Sequence, residues 1–206
     1  MQIGIIGAGN IGGTLAGLFL TAGHDVVIAN SRGPESLGEL VAELGSGASA
    51  ASVEEVAGTS DVIVEAIPFG KVHTLPAAEL AGKVLITASN YYPGRDGEID
   101  LGELSQSEYL QKLLPETHIA KVFNTIYWEH LRVQGDTAKA LADRRVLPFA
   151  ASDATAESVA RELIEELGFG PLFLGDLAQT SGISEPEGLL YNKQLTLAQA
   201  EPMIAG

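Results

Sequence analysis

The order of strand and helix patterns along the chain predicts an α/β protein with a mainly parallel sheet. Short runs of β-branched and aliphatic residues alternate with segments in which apolar residues recur every three or four positions. Parallel strands need a crossover between them, and helices on both faces of the sheet supply it. The aliphatic content and the 24 glycines suit such a fold. We therefore expect a doubly wound sheet.

A glycine-rich turn joins the first strand to the first helix. The apolar run Met1–Ile6 predicts the strand, and Gly7, Gly9 and Gly12 follow it with the spacing G-x-G-x-x-G. The first glycine permits a tight turn, the second lets the backbone approach a pyrophosphate, and the third lets the helix pack close to the strand. Since a strand precedes the motif and a helix follows it, we predict a Rossmann-type dinucleotide site. An ordinary glycine-rich turn is the alternative.

The residues after the second strand indicate which dinucleotide binds. Asp25–Ala29 predicts this strand, and Asn30, Ser31 and Arg32 follow it. An NAD-binding protein carries Asp or Glu at this place, about 20 residues after the glycine motif. Here no carboxylate repels a 2′-phosphate, whereas the hydroxyl and the guanidinium can bind one. The sequence predicts NADP(H) rather than NAD; a polar turn leading to Pro34 is the alternative.

The following elements keep the same alternation up to about residue 124. Ser52 with Glu55 predicts a helix N-terminus. Gly45 ends the preceding helix, and Pro68 ends a buried strand. The predicted helices are Ile11–Ala22, Glu35–Leu44, Val53–Ala57, Val72–Leu80 (interrupted near Pro76) and Leu101–Leu114. The further predicted strands are Ala48–Ala51, Asp61–Ala66, Lys83–Ala88 and Ile119–Phe123.

The C-terminal part of the chain is also α/β in character. Arg145–Ala150 and Pro171–Leu174 predict strands, and an apolar face from Ala156 to Leu167 predicts a helix that ends at Gly168. This pattern differs from that of a long all-helical domain. We predict a Rossmann-type NADP-binding domain at residues 1–128. An α/β extension at residues 129–206 is expected to pack on the same sheet and to cover the acceptor site.

Composition excludes several classes of partner and chemistry. The net charge of −15 argues against nucleic acid and anionic membrane surfaces. The chain has no cysteine, and its four histidines lack ligand spacing, so no metal site is expected. No apolar run approaches the roughly 20 residues that span a bilayer. Met1 leads into a strand without the basic region of a signal peptide, which predicts a cytoplasmic protein.

Ligands of open α/β sheets bind beyond the carboxyl ends of the strands, so the residues after each strand are the site candidates. The predicted cofactor contacts are Gly7, Ala8, Gly9, Asn10, Ile11, Gly12, Asn30, Ser31, Arg32, Ala66, Ile67, Pro68, Ser89, Asn90 and Asn124. Four aromatic residues follow the fifth and sixth strands, and we expect them to form a platform for a flat acceptor. They are Tyr91, Tyr92, Tyr127 and Trp128. The alternative is that some of them cover the sheet end or a dimer contact.

No acid–base pair or nucleophile stands out in the sequence, so the catalytic residues stay unknown. His130 is the histidine nearest to the expected acceptor site. Tyr191, Asn192 and Gln194 lie in a segment that could fold back over this site. Hydride transfer between two cofactors depends on positioning more than on side-chain chemistry, which is compatible with this lack of a catalytic constellation.

Five segments in order resemble the NADPH-dependent reductases of the deazaflavin coenzyme F420. They are GIIGAGNIGG, ANSRGPESL, DVIVEAIPFG, ITASNYYPGRDG and AKVFNTI. The resemblance implies hydride transfer between NADPH and a deazaflavin or flavin acceptor. It also implies a 2′-phosphate site at Ser31 and Arg32, and a homodimer. Arg95 and Arg132 are the candidate basic contacts near the acceptor site. Phe123–Ile126 (FNTI) is also similar to the NADPH-binding domain of six-transmembrane metalloreductases.

Two other functions are compatible with the sequence. One is an NADP-dependent reductase of an unknown small molecule, such as an imine or a hydroxy acid. Pyrroline-carboxylate reductases and hydroxyacid dehydrogenases share the N-terminal motif but add a helical dimerisation domain, which the α/β tail of this chain does not resemble. The other is a non-enzymatic NADP(H)-sensing module. For a deazaflavin or flavin reductase, and for a reductase of a small molecule, the expected partner is a small-molecule or cofactor acceptor.

Overall fold

The computed structural model describes residues 1–205 and contains an eight-stranded sheet. The strand order is β3-β2-β1-β4-β5-β6-β7-β8. All neighbouring strands are parallel except β6 and β7, which confirms the predicted α/β class with a mainly parallel, Rossmann-type sheet. The strands are β1 Gln2–Ile6, β2 Asp25–Ala29, β3 Ala48–Ala50, β4 Val62–Glu65, β5 Val84–Thr87, β6 His118–Lys121, β7 Val146–Ala151 and β8 Gly170–Phe173.

Helices cover both faces of this sheet. The α-helices are α1 Asn10–Thr21, α2 Gly38–Leu44, α3 Val53–Thr59, α4 Ala77–Leu80, α5 Pro93–Asp96, α6 Gln106–Leu113, α7 Trp128–Gln134, α8 Ala154–Glu166 and α9 Leu197–Ile204. Helices α1, α7 and α8 contribute to the apolar core on one face, and α3 and α6 contribute to the core on the other. Short 3₁₀ turns occupy Pro34–Leu37, Phe69–Thr74, Leu141–Asp143 and Leu177–Thr180.

Three predicted helices differ from the observed ones. Helix α6 begins at Gln106 rather than at Leu101, because the Ser105 hydroxyl caps the Glu108 amide and the Glu108 carboxylate accepts from the Ser105 amide. The predicted helix Val72–Leu80 is a 3₁₀ turn followed by the four-residue α4, since Pro76 lacks an amide donor. The first turn of the predicted helix Glu35–Leu44 is also 3₁₀.

The C-terminal region extends the sheet beyond β6. Strand β7 pairs with β6 in antiparallel register, with Ala120 opposite Ala151, and β8 then pairs with β7 in parallel. The segment after β8 returns to the carboxyl edge of the sheet, where the Asn192 amide donates to the Thr125 carbonyl at 3.1 Å. The chain from 176 to 192 therefore lies near the ends of β5 and β6. None of the helices within residues 1–205 is both long and apolar enough to cross a membrane.

Candidate functional site

A cavity of about 890 Å³ opens at the carboxyl ends of β1, β2 and β4. Its size suits a large part of a dinucleotide, since ligand sites typically measure about 300–1,000 Å³. The residues that line it are Ile6, Gly7, Ala8, Gly9, Asn30, Ser31, Arg32, Gly33, Ser52, Val53, Glu54, Ala66, Ile67, Pro68, Lys71, Thr74 and Leu75. The glycine loop, the turn after β2 and the segment after β4 thus meet around one space.

The three motif glycines have different surroundings. Gly7 has a φ of +116°, and a Cβ atom there would lie 2.5 Å from the Ala66 carbonyl oxygen. A Cβ atom on Gly12 would lie 1.8 Å from the Gly7 carbonyl oxygen, so α1 could not pack against the loop. A Cβ atom on Gly9 would meet no atom of residues 1–205 within 4 Å. Gly7 and Gly12 are therefore required by the protein itself, whereas Gly9 leaves open space at the cavity wall.

The turn after β2 is held by the side chain of Asn30. Its Oδ1 accepts from the Arg32 amide at 2.8 Å, and its Nδ2 donates to the Ser36 hydroxyl at 2.9 Å. These bonds fix the turn in the manner of an Asx turn. Ser31 and Arg32 are exposed on the cavity wall. The amide of Asn30 is thus engaged within the turn, and the hydroxyl and guanidinium beside it are free to meet a ligand.

The structure gathers many, but not all, of the predicted cofactor contacts around this cavity. Residues of the glycine loop, the β2 turn and the β4 turn line it: Gly7, Ala8, Gly9, Asn30, Ser31, Arg32, Ala66, Ile67 and Pro68. Asn10, Ile11 and Gly12 form the first turn of α1. Ser89, Asn90 and Asn124 lie outside the cavity lining, beyond the ends of β5 and β6. Their role as cofactor contacts stays a prediction.

A second wall of the cavity is formed by residues that the sequence predictions do not include as cofactor contacts. Ser52, Val53 and Glu54 come from the start of α3. Lys71 and Thr74 come from the 3₁₀ turn after β4, and Leu75 follows that turn directly. Lys71 gives the cavity a second cation besides Arg32. The signal was available, because a lysine three residues after the proline that ends a strand lies near the carboxyl edge of the sheet.

The four predicted platform residues do not form one stack. Tyr91 packs against Phe69 with a ring-centroid distance of 5.6 Å, and its hydroxyl donates to the Gly97 carbonyl. The hydroxyl of Tyr92 is hydrogen-bonded to that of Tyr191. Burial raises the pKa of the Tyr191 phenol, so this hydroxyl stays protonated. The segment around Tyr191 is thereby tied to the loop after β5.

Tyr127 and Trp128 form a separate aromatic pair at the start of α7. Their ring centroids are 6.2 Å apart, Tyr127 is 54% exposed, and the Arg132 guanidinium lies 5.3 Å from the Trp128 ring. His130 is half-buried against Tyr127. Within residues 1–205, no ring contact joins this pair to Tyr91 or Tyr92. A platform for the acceptor stays a prediction.

A row of polar side chains crosses the sheet at the last positions of β4, β5 and β6. Glu65 is in register with Thr87, and Thr87 is in register with Lys121, so the three side chains share one face. The Glu65 carboxylate accepts from the Thr87 hydroxyl at 2.6 Å, the Ser89 hydroxyl at 3.0 Å and the Ile67 amide at 2.9 Å. Burial raises the pKa of Glu65, although these three donors oppose the shift.

The Lys121 side chain is 1% exposed and donates a hydrogen bond to the Ser89 carbonyl. Burial lowers the pKa of its ammonium to about 8, with Glu185 and Glu65 opposing the shift. Glu65 and Lys121 lie within the predicted strands Asp61–Ala66 and Ile119–Phe123, and the sequence predictions assign them no role. The signal was a charged residue at the end of an apolar strand, as in VIVE and HIAK.

Two asparagines connect the ends of β5 and β6. The Asn90 amide donates to the Asn124 carbonyl at 2.8 Å, and the Asn124 amide donates to Asn90 Oδ1 at 3.0 Å and to the Ser184 carbonyl at 2.7 Å. Among residues 1–205, Asn124 Oδ1 and the Ser184 hydroxyl are buried without a hydrogen-bond partner. The C-terminal segment is therefore bonded to the sheet edge next to two unpaired polar atoms.

The fold and the cavity together define the class of protein. A doubly wound sheet with a glycine loop under a nucleotide-sized cavity is the arrangement of NAD(P)-dependent oxidoreductases. The open space at Gly9, the Arg32 guanidinium at the β2 turn and the Lys71 ammonium after β4 fit a phosphorylated dinucleotide. The chain is an NAD(P)-dependent oxidoreductase, and a nicotinamide nucleotide is its cofactor.

The chain belongs to the family described as coenzyme F420-dependent NADP oxidoreductases, whose model matches residues 2–91. This confirms the resemblance seen in the sequence. The matched region holds β1 to β5 together with the glycine motif and the β2 turn. The similarity of Phe123–Ile126 to metalloreductases lies outside the matched region and stays a prediction.

Solved structures are similar over most of the chain. A hypothetical protein from Sinorhizobium meliloti is 30% identical, with a TM-score of 0.84 and 95% of each chain covered. A protein from Arthrobacter sp. FB24, provisionally assigned as an F420-dependent NADP reductase, is 25% identical, with a TM-score of 0.75 and 88% of each chain covered. A 3-hydroxyisobutyrate dehydrogenase from Mycobacterium tuberculosis shares the fold at 17% identity and a TM-score of 0.61; the match covers 87% of this chain and 57% of the dehydrogenase.

Proposed function

We propose that the protein is an NADP(H)-dependent oxidoreductase that transfers a hydride between NADPH and a deazaflavin or flavin-type acceptor. The observation that carries the proposal is the cavity in which the glycine loop, the Ser31–Arg32 turn and Lys71 face one another. The Arthrobacter relative supports the choice of acceptor. In the forward direction, NADPH, the oxidised acceptor and one proton give NADP⁺ and the reduced acceptor.

The chain's residues would bind and orient the cofactor in this reaction. The space at Gly9 would admit the pyrophosphate, Ser31 and Arg32 would bind the 2′-phosphate, and the apolar turn at Ile67 and Pro68 would lie along the ribose and nicotinamide. When bound, the nicotinamide supplies the hydride. Asn90 and Asn124 mark the edge where the acceptor would approach, and the C-terminal extension would cover it.

The test is an assay of NADPH oxidation against deazaflavin F420, FMN, FAD and a ferric chelate, with NADH as the control. We expect turnover with the deazaflavin or a flavin and preference for NADPH over NADH. Tight NADPH binding without turnover on any of these acceptors would contradict the proposed acceptor class. That outcome would favour a small substrate outside the panel or an NADP(H)-sensing module.

Replacing Lys71 with alanine is expected to weaken NADPH binding about 3- to 10-fold, because one partly screened contact to a phosphate is worth roughly 1 kcal/mol. The measurement is a fluorescence titration of NADPH. Lys112→Ala on α6 removes the same charge outside the cavity lining and should leave binding unchanged. Equal affinity of the Lys71 variant and the wild type would show that this lysine contributes nothing to the site.

A further inference from the structure

Three buried charges lie together beside the candidate cofactor site, and the cavity lining does not include them. Glu65 and Lys121 end β4 and β6, and Glu185 lies in the C-terminal segment, where its carboxylate accepts from the Gln106 amide at 3.0 Å and the Thr180 hydroxyl at 2.9 Å. Each of the three residues is less than a tenth exposed. Burying a charge is costly, and neighbouring charges of opposite sign offset part of that cost. The cluster therefore restrains the segments that it joins.

The restrained segments include the chain immediately after β5. The Ser89 carbonyl accepts from the Lys121 ammonium, and the next carbonyl, that of Asn90, accepts from the Arg95 guanidinium at 2.6 Å. Two consecutive carbonyls are thus held by cations. Asn90 also pairs with Asn124, so the position of this loop sets the position of both amides.

The same cluster reaches the wall of the cofactor cavity. The Glu65 carboxylate accepts from the Ser89 hydroxyl with one oxygen and from the Ile67 amide with the other. Ile67 lines the cavity. A change in the charge at Lys121 would therefore act on the loop after β5 directly and on the cavity wall through Ser89 and Glu65.

We propose that Lys121, in its charged form, is a positioning residue for the nicotinamide end of the cofactor. It fixes the loop after β5 and the adjoining wall of the cavity. Because this role needs the charged form, cofactor binding depends on pH. The proposal rests on the proposed NADP(H) function. Lys121 does not reach the cavity lining and acts through the Ser89 carbonyl and the Glu65 carboxylate.

Deprotonation of Lys121 at higher pH is expected to weaken cofactor binding. Burial lowers the pKa of the Lys121 ammonium to about 8, so raising the pH through this value removes its charge in the folded protein. The charged groups that act on it are Glu65 on β4 and Glu185 in the C-terminal segment. Arg95, which is paired with Asp96 at 2.8 Å, acts on Glu65. Loss of the ammonium leaves a carboxylate-rich cluster and a weaker bond to the Ser89 carbonyl, so binding should weaken.

Stability changes in the opposite sense, which separates this effect from unfolding. Between about pH 8 and the ordinary lysine value the unfolded chain holds a proton that the folded chain has lost. The free energy of unfolding therefore rises with pH in this window as far as Lys121 is concerned. Weaker binding at higher pH would thus not be explained by loss of the fold through this residue.

The experiment is a fluorescence titration of NADPH between about pH 7 and pH 9.5 on the full chain, with melting curves at each pH. We expect the wild type to bind about 5-fold or more weakly at the upper limit, in line with the loss of a charged hydrogen bond. Lys121→Gln should bind more weakly at pH 7 and show no step near pH 8. Lys121→Arg stays charged, so it should also lack the step.

Lys83→Gln is the matched control. Lys83 precedes β5, so it lies at the opposite edge of the sheet from the loop that follows β5, and it donates to the Ser60 carbonyl. It should keep the wild-type step. A wild-type profile without a step would overturn the proposal even if neither Lys121 variant folds. The proposal would also be overturned if a folded Lys121 variant kept the change in NADPH affinity near pH 8. Absence of NADPH binding at pH 7 would instead overturn the proposed function itself.

Discussion

Replacing Gly9 with valine is expected to lower NADPH affinity by about 100-fold or more while the protein keeps its fold. The added side chain begins in open space, since a Cβ atom at Gly9 meets no atom of the described part of the chain within 4 Å. The backbone at this residue is extended, with φ −81° and ψ −167°. Glycine at this position lets a pyrophosphate come close to the backbone, and the valine side chain would fill that space. Titration with NADPH and a melting curve measure the two effects.

Gly12→Ala is the matched comparison, because it adds a side chain to the same motif where the protein has no room. Its Cβ atom would lie 1.8 Å from the Gly7 carbonyl oxygen. Relief of this overlap would shift α1 or the loop, at a cost of about 3 kcal/mol in the free energy of unfolding. Gly9→Val should thus lose binding and Gly12→Ala should lose stability. Full cofactor affinity in Gly9→Val would show that the pyrophosphate lies elsewhere.

Replacing Arg32 with glutamate is expected to weaken NADPH binding far more than NADH binding. The loss of a charge-assisted contact to the 2′-phosphate should cost about 1.5–3 kcal/mol, or roughly 10- to 150-fold in affinity, and the added carboxylate repels the phosphate. NADH lacks this phosphate, so its affinity should change little. The ratio of the two dissociation constants is the quantity to measure.

Lys139→Glu provides the same reversal of charge on an exposed residue that does not line the cofactor cavity, and the ratio should stay at the wild-type value. An equal loss for NADPH and NADH in the Arg32 variant would contradict a 2′-phosphate role. Asn30 holds the turn through the backbone amide of Arg32, and the Arg32 side chain takes no part in this bond. The variant should therefore keep the backbone conformation of the turn.

The features that follow from local chemistry could be predicted from the sequence. Gly7, Gly9 and Gly12 fix a strand–turn–helix unit within a dozen residues, and the turn at Ser31 and Arg32 lies directly after the next strand. The capping box of Ser52 and Glu55 is also present as predicted. Each of these signals depends on neighbours in the chain, so no knowledge of the sheet order is needed to interpret it.

Helix boundaries were predicted less well where two signals compete. Apolar spacing alone favours a helix from Leu101 onward, but Ser105 and Glu108 cap it four residues later, after Gly102 adopts a φ of +62°. The short α7 and α9 have too few turns for periodicity to be recognised, and α9 contains Pro202. The antiparallel arrival of β7 next to β6 also lacks a local signal, because pairing partners are not written in the spacing.

The fold class, the glycine loop and the basic turn follow from the sequence alone, since each arises from short segments with their own conformational preference. The row of Glu65, Thr87 and Lys121 emerges only when the sheet is assembled, because it depends on the register of residues that are 22 and 34 positions apart in the chain. The same reason applies to Lys71 on the second cavity wall and to the bond between Tyr92 and Tyr191. Contacts between distant segments depend on how the whole sheet is assembled, which no single segment specifies.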